Sequence, residues 1–343
     1  MKPKPNRSFS PHADAEDELL DIPLRPRSFE EFVGQETIKK NLKTYVYAAA
    51  KRSEVLDHVL LSGPPGLGKT TLAYIIANEI GASITVTSGP ALEKPKDLAG
   101  ILTRLKRKDV FFIDEIHRLS AAVEEHLYSA MEDFSIDIVI DQGPHARSIR
   151  LELQPFTLIG STTREGLLGA PFRSRFGVLE KLDYYPWQDL GSIVSRSARI
   201  LSCALEPDAL EMIARRSRGT PRLANRLLKR VRDFAEVAGL ATINTDICCR
   251  TFEQLGVDHL GLDKTDRRLL EVVVSAGGAP VGLKTLCVRV DESEDTIEEV
   301  YEPYLIREGF IEKTPRGRIA TRRAYEHLSA RPPDRANQTD LFK

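Results

Sequence analysis

The run Gly63-x-x-x-x-Gly68-Lys69-Thr70 leaves this chain few folds to choose from, because it follows directly on the apolar segment 58–62 and opens a helical pattern. Strand, glycine-rich turn and helix in that order form a phosphate cradle. Glycines at Gly63, Gly66 and Gly68 let the backbone close around an anion, with successive N–H groups and the N-terminus of the following helix aimed at it. Lys69 is placed to reach the β- and γ-phosphates of a nucleoside triphosphate, and the Thr70 hydroxyl to ligate Mg²⁺.

The other half of such a site is the short apolar run Val110-Phe111-Phe112-Ile113, which ends in Asp114-Glu115. At the carboxyl end of a parallel strand, Asp114 can hold Mg²⁺ through its water shell while Glu115 polarises an attacking water. An acidic pair after a strand is, standing alone, a solvated turn. Paired with the phosphate loop it reads as catalytic.

A chain of 343 residues is expected to form two or three domains. No apolar run approaches the ~18–20 residues that cross a bilayer. The first twenty residues carry charge and proline where a secretion signal would be apolar, which gives a cytoplasmic assignment. Cys203, Cys248, Cys249 and Cys287 show no C-x-x-C spacing and read as reduced packing residues. A net charge of −1 argues against bulk adhesion to nucleic acid, so any such binding must come from a local patch.

Residues 1–20 are expected to be disordered. In 21–183, apolar runs at Ile84–Thr87 and Phe156–Gly160 alternate with helical patterns, predicting an α/β domain whose parallel sheet holds its ligand at the strands' carboxyl ends. From 184 to 255 strands give way to helices, broken at Gly219-Thr220-Pro221. Residues 256–330 form a third segment and 331–343 a proline-rich polar tail. Three further positions point to a ring-type ATPase: Thr163, a hydroxyl ending the strand FTLIG; the basic segment around Arg175; and Arg222, opening a helix.

With these residues in view, the chain resembles the RuvB family of Holliday-junction branch-migration motors, of the AAA+ class, over roughly residues 22–328. The segments that carry the likeness include LRPRSFEEFVGQ, DHVLLSGPPGLGKTTLA, FFIDEIHRL, AMEDF, FTLIGSTTR, FRSRFG, RGTPRLANRLLKRVRDFA and TPRGR. The resemblance implies an AAA+ large domain, a helical lid and a winged-helix head. It makes Thr163 the first sensor, Arg175 an arginine finger acting on a neighbouring subunit, and Arg222 the second sensor. It also implies nucleotide contacts from Leu24, Arg25, Thr71, Glu132, Asp133, Phe134 and Tyr185. The partners it implies are Holliday-junction DNA, RuvA and RuvC, with a homo-hexameric ring at work in recombination and repair. The chain departs from the usual pattern at Ser161, Phe172, Cys287-Val288 and Lys313, none of which removes a catalytic group.

Ile136, Ile138 and Ile140 alternate with other residues, and Ile149, Leu151 and Leu153 alternate back after DQGPHARS, which predicts a hairpin over 136–153 with one apolar face. Periodicity alone favours packing of that face on its own domain; the resemblance implies docking on RuvA. Helices at about 263–275, 281–289 and 294–308, then a hairpin turning at TPRG, predict a winged helix whose Lys313, Arg316 and Arg318 could meet phosphates or enter a minor groove. In the tail, Gln338-Thr339-Asp340-Leu341-Phe342 resembles the Gln-x-x-Leu-Phe peptide that binds bacterial sliding clamps. Two rivals share part of these signals. A clamp-loader ATPase should end in a helical collar, and a protein-unfolding AAA+ module should carry an aromatic pore loop, which is missing after the strand near Ile84.

Overall fold

The computed structural model describes residues 22–139 and 148–332. The chain divides into two compact units, Asp21–Tyr185 and the region from Pro186 onward. In the first, the strands are β1 (Val59–Ser62), β2 (Ile84–Ser88), β3 (Val110–Asp114), β4 (Ser135–Val139), β5 (Ser148–Glu152), β6 (Thr157–Thr162) and β7 (Val178–Lys181). Five of them make one parallel sheet in the order β2-β3-β6-β1-β7. Every residue of β1 and β6 is buried, as an unbroken apolar strand covered on both faces requires. β2 lies at the edge and is only half-buried.

This order decides the chemistry. β6 lies between β1 and β3, with Ser62 opposite Thr162 and Ile113 opposite Gly160. The carboxyl ends of these strands therefore present the phosphate loop, Thr163 and Asp114 side by side.

β4 and β5 form the antiparallel hairpin, pairing Ile136 with Leu151 and Ile138 with Ile149. Ile136 and Leu153 are buried in the domain core, and Leu151 packs against it. Ile149, on the facing strand, is 44% exposed. The base of the hairpin thus packs on its own domain. Ile140 and the turn 141–147 lie outside the described residues.

The second unit opens with four helices, Trp187–Ile200, Pro207–Arg216, Pro221–Val237 and Thr245–Leu255. They bury one face each through Val194, Ile213, Leu227, Leu228, Val231 and Phe252. The sequence reading expected no strands here, yet Ala204–Leu205 and Thr242–Ile243 make a short parallel pair. Two-residue segments are too short to carry a periodic signal.

The chain then builds a winged helix: helices Lys264–Ser275 and Leu283–Val290, a third from Glu294, and a hairpin of Ile311–Thr314 with Gly317–Ala320. The third helix is interrupted, not continuous as expected, running through a π-helical turn at Ile297–Tyr301 into Glu302–Arg307. Pro303, which has no N–H for the regular ladder, sits at the exit of that turn. Val281 exchanges backbone hydrogen bonds with Arg318 (2.9 and 2.8 Å), docking the wing on the head. A Cβ at Gly317 would collide with the Val281 carbonyl oxygen, so glycine is required there.

Candidate active site and nucleic-acid interface

The phosphate loop is held open by its own backbone. Gly63, Gly66 and Gly68 take φ values of 133°, 77° and 102°, conformations that L-residues rarely adopt. A Cβ at Gly63 would strike the Leu182 carbonyl oxygen, so the loop lies flush against the end of β7. The helix Lys69–Glu79 starts immediately after Gly68 without a side-chain cap, leaving its first N–H groups to face an anion. Lys69 is 6% exposed, and its ammonium donates to the Gly63 and Pro64 carbonyls (2.7 and 2.9 Å). Tyr185, also buried, donates to the Leu67 carbonyl (3.2 Å) and braces the loop from behind. Leu24 is buried, Arg25 lies with its guanidinium 5.8 Å from the Tyr74 ring, and Thr70 and Thr71 are half-buried at the helix start.

The acidic pair is organised by β6. Asp114 Oδ1 accepts from the Glu115 N–H (3.1 Å) and from the Ser161 hydroxyl, so Ser161 orients this carboxylate. Glu115 has a left-handed backbone, φ 50°. Its carboxylate accepts from the Thr163 hydroxyl (3.2 Å) and lies 3.3 Å from His117 Nδ1, which in turn contacts the Thr162 hydroxyl at 2.9 Å. His117 escaped the sequence reading; its place two residues after Glu115 was the available signal. The structure therefore brings Lys69, Asp114, Glu115 and Thr163 to the carboxyl end of the sheet.

Arg175 sits at another point of the same unit. Its guanidinium pairs with Glu132 (2.9 Å), donates to the Tyr128 hydroxyl and stacks 4.4 Å from the Tyr128 ring centroid. Asp133 faces Arg150 at 3.4 Å, and the Phe134 ring packs on His58 and Phe156. Arg222 belongs to the second unit, half-buried in the first turn of Pro221–Val237.

On the wing, the three expected cations are not equivalent. Arg318 is 6% exposed, and its guanidinium donates to Glu302 and Glu298, the latter at 3.0 Å. Lys313 lies opposite it and reaches Glu298 at 2.8 Å. Arg316 is exposed at the tip of the turn. Arg318 thus forms a buried ion pair, Lys313 shares one of its carboxylates, and Arg316 is the most accessible of the three. The third helix carries Glu294, Asp295, Glu298 and Glu299, of which Glu298 pairs with Lys313 and Arg318.

A phosphate loop and an acidic pair with a sensor strand between them, followed by a helical lid and a winged head, define an AAA+ ATPase. Three family models match consecutive parts of the chain: the Holliday junction DNA helicase RuvB P-loop domain over residues 24–182, the RuvB AAA lid domain over 185–258 and the RuvB C-terminal winged helix domain over 259–329. The chain belongs to the RuvB family. Similar proteins include the Holliday junction branch migration complex subunit RuvB of Salinibacter ruber, 59% identical over 331 residues and covering 96% of each chain. That of Myxococcus xanthus is 57% identical over 319 residues, 93% of each. The solved Thermotoga maritima RuvB Holliday junction branch migration motor superposes with a TM-score of 0.84 at 53% identity, covering 91% of this chain and 100% of that one.

Proposed function

We propose that this chain is an ATP-driven DNA translocase that moves Holliday junctions, working as a homo-hexameric ring with RuvA and RuvC in recombination and repair. The likeness to relatives named as branch migration complex subunits supports the DNA task. The observation that carries the reading is the contact between Thr163 and Glu115 beside the phosphate loop, because it joins a phosphate sensor to a catalytic base. Nothing favours the clamp-loader alternative: its collar is replaced by the winged helix matched over 259–329.

ATP fits the cradle of Gly63, Gly66 and Gly68, with Lys69 turning from the loop carbonyls to the β- and γ-phosphates. The oxygen donors of Thr70 and Asp114 suit Mg²⁺, which supplies charge neutralisation on the phosphates when bound. A γ-phosphate that takes the Thr163 hydroxyl releases the Glu115 carboxylate to orient the attacking water. Arg175 of a neighbouring subunit stabilises charge in the transition state, and Arg222 reports the nucleotide to the lid. Leu24, Arg25, Thr71, Glu132, Asp133, Phe134 and Tyr185 complete the nucleotide contacts. The outer part of hairpin 136–153, where Ile149 is exposed, docks on RuvA.

The tail motif Gln338–Phe342 lies outside the described residues and fits a sliding-clamp pocket through Leu341 and Phe342. ATPase stimulation tests the motor reading: four-way junction with RuvA should activate hydrolysis and an unfolded protein should not. Activation by the unfolded protein alone would contradict it.

A further inference from the structure

Among the described residues of the second unit the least solvent-exposed cation is not Arg222 but Arg218, four residues before it, and neither sequence pattern nor nucleotide chemistry gives it a role. Its side chain is 4% exposed and its backbone is left-handed, φ 53°, followed by Gly219 at φ 76°. Burial of a guanidinium in a strained turn is costly unless many partners fix it. Here they come from the winged head and its linker. Arg218 Nε donates to the Gly261 carbonyl (2.6 Å), and Nη2 donates to Asp266 and lies 4.0 Å from Asp263. Its guanidinium carbon is 5.1 Å from the Tyr304 ring centroid, while Arg307 donates back to the Arg218 carbonyl at 3.3 Å.

These partners are themselves fixed. Asp263 and Asp266 form the capping box of the head's first helix, Asp263 accepting from the Thr265 and Asp266 N–H groups (2.8 and 2.9 Å). The linker is a closed turn in which Asp258 Oδ1 accepts from the Leu260 and Leu262 N–H groups at 2.9 and 2.8 Å. Tyr304 pins the same turn by donating to the Leu260 carbonyl (2.6 Å). A Cβ at Gly261 would collide with the Arg216 carbonyl oxygen, so linker and lid lie in backbone contact. What the sequence presents as a domain boundary is a filled joint.

We propose that Arg218 is a positioning residue that joins the lid and the winged head into one lever, so that a nucleotide-driven movement of the helix carrying Arg222 is delivered to the wing. The transmission half of this assignment rests on the motor reading above; the joint itself does not. A rigid lever needs its two arms fixed at the point where the input helix begins, and Arg218 leads into that helix through Gly219 and Thr220. The acidic pair at the head's first helix serves two ends at once: it caps the helix and holds the arginine.

The test uses the full chain carrying spin labels on Cys249, exposed on the lid, and on Val288→Cys, exposed on the head, with the other three cysteines changed to serine. The wild-type background should give one narrow distance distribution. Arg218→Ala and the milder Asp266→Asn should broaden it at least ~2-fold while ATP affinity stays within ~2-fold, and Arg218→Lys, which keeps charge but not the planar fork, should fall between. With RuvA and a four-way junction, Asp266→Asn should advance the junction at least ~5-fold less per ATP hydrolysed. Should Arg218→Ala fail to fold, Asp266→Asn decides. An unbroadened distribution overturns the joint, and normal advance per ATP in a broadened variant overturns the transmission. Absence of junction movement in the wild type would fall on the motor reading instead, leaving the distance result to judge the joint.

Discussion

Salt titration of DNA binding separates the three wing cations. Each phosphate neutralised on duplex DNA adds about 0.9 to the slope of log K against log salt, so one contact changes affinity ~3.5-fold between 50 and 200 mM salt. Three equal contacts would give ~40-fold per engaged head. The structure argues for less, because Arg318 and Lys313 face Glu302 and Glu298 while Arg316, exposed at the tip, has no such neighbour among the described residues. Arg316→Ala should therefore flatten the slope by about one contact, and Lys313→Ala by clearly less. Glu298→Gln should steepen it, since the 2.8 Å partner of Lys313 loses its charge. Arg318→Ala leaves Glu302, 2% exposed, without its buried partner, and should cost stability at the lower end of ~3–5 kcal/mol. Fluorescence anisotropy of a labelled duplex across a salt series, with a non-hydrolysable ATP analogue present, measures the three slopes, and denaturant unfolding measures the stability of Arg318→Ala. An Arg316→Ala slope equal to that of the wild type refutes the wing as the contact; an unchanged Glu298→Gln slope refutes the neutralisation of Lys313.

Arg175→Ala should bind ATP nearly normally yet lose hydrolysis by ~10³-fold or more, as removal of an arginine finger does, and steady-state turnover at the wild-type rate would reject the role. His58 is buried, with Nδ1 accepting the Leu158 N–H (2.9 Å) and Nε2–H donating to the Met131 carbonyl (3.1 Å), and burial holds its pKa below the usual 6.5. Above pH 6.5 neither folded nor unfolded state is protonated there; below it the unfolded chain takes up the proton first, so stability should fall with pH by up to ~1.4 kcal/mol per unit until the folded pKa is passed. Thermal melts from pH 7 to 5 should show this slope, and His58→Gln should remove it; an identical slope in the variant would assign it elsewhere. A labelled peptide of residues 331–343 should bind the cognate sliding clamp with Kd around ~1 µM and lose binding on Leu341→Ala with Phe342→Ala; binding that ignores both changes would dismiss the motif.

The nucleotide site was legible because its parts are local: a strand, a glycine turn and a lysine, or a strand and two acids, each fall within about ten residues. Sheet order then brings the pieces together, and the placing of β6 between β1 and β3 follows from the alternation of strands and helices only as a class. Charge pairing across long separations was not legible. Arg318 and Lys313 carry the expected charge, but Glu298 and Glu302 reach them from a different element, and no spacing rule announces that. Arg218 was invisible for the same reason, its partners lying more than forty residues away. The hairpin face shows a third kind of limit: alternation identifies Ile136, Leu151 and Ile149 as one apolar stripe, yet the first two serve the domain core and the last is exposed.

The central claim is that ATP hydrolysis at this site moves a DNA junction, and a strand-exchange assay measures it directly. A synthetic four-way junction with a homologous, migratable core is incubated with RuvA, Mg²⁺, ATP and this chain, and the separated duplex products are counted over time. The wild type is expected to resolve the junction only with hydrolysable ATP, while Glu115→Gln binds both nucleotide and DNA and moves nothing. Migration by Glu115→Gln at the wild-type rate, or none by a wild type whose ATPase the junction stimulates, would contradict the account.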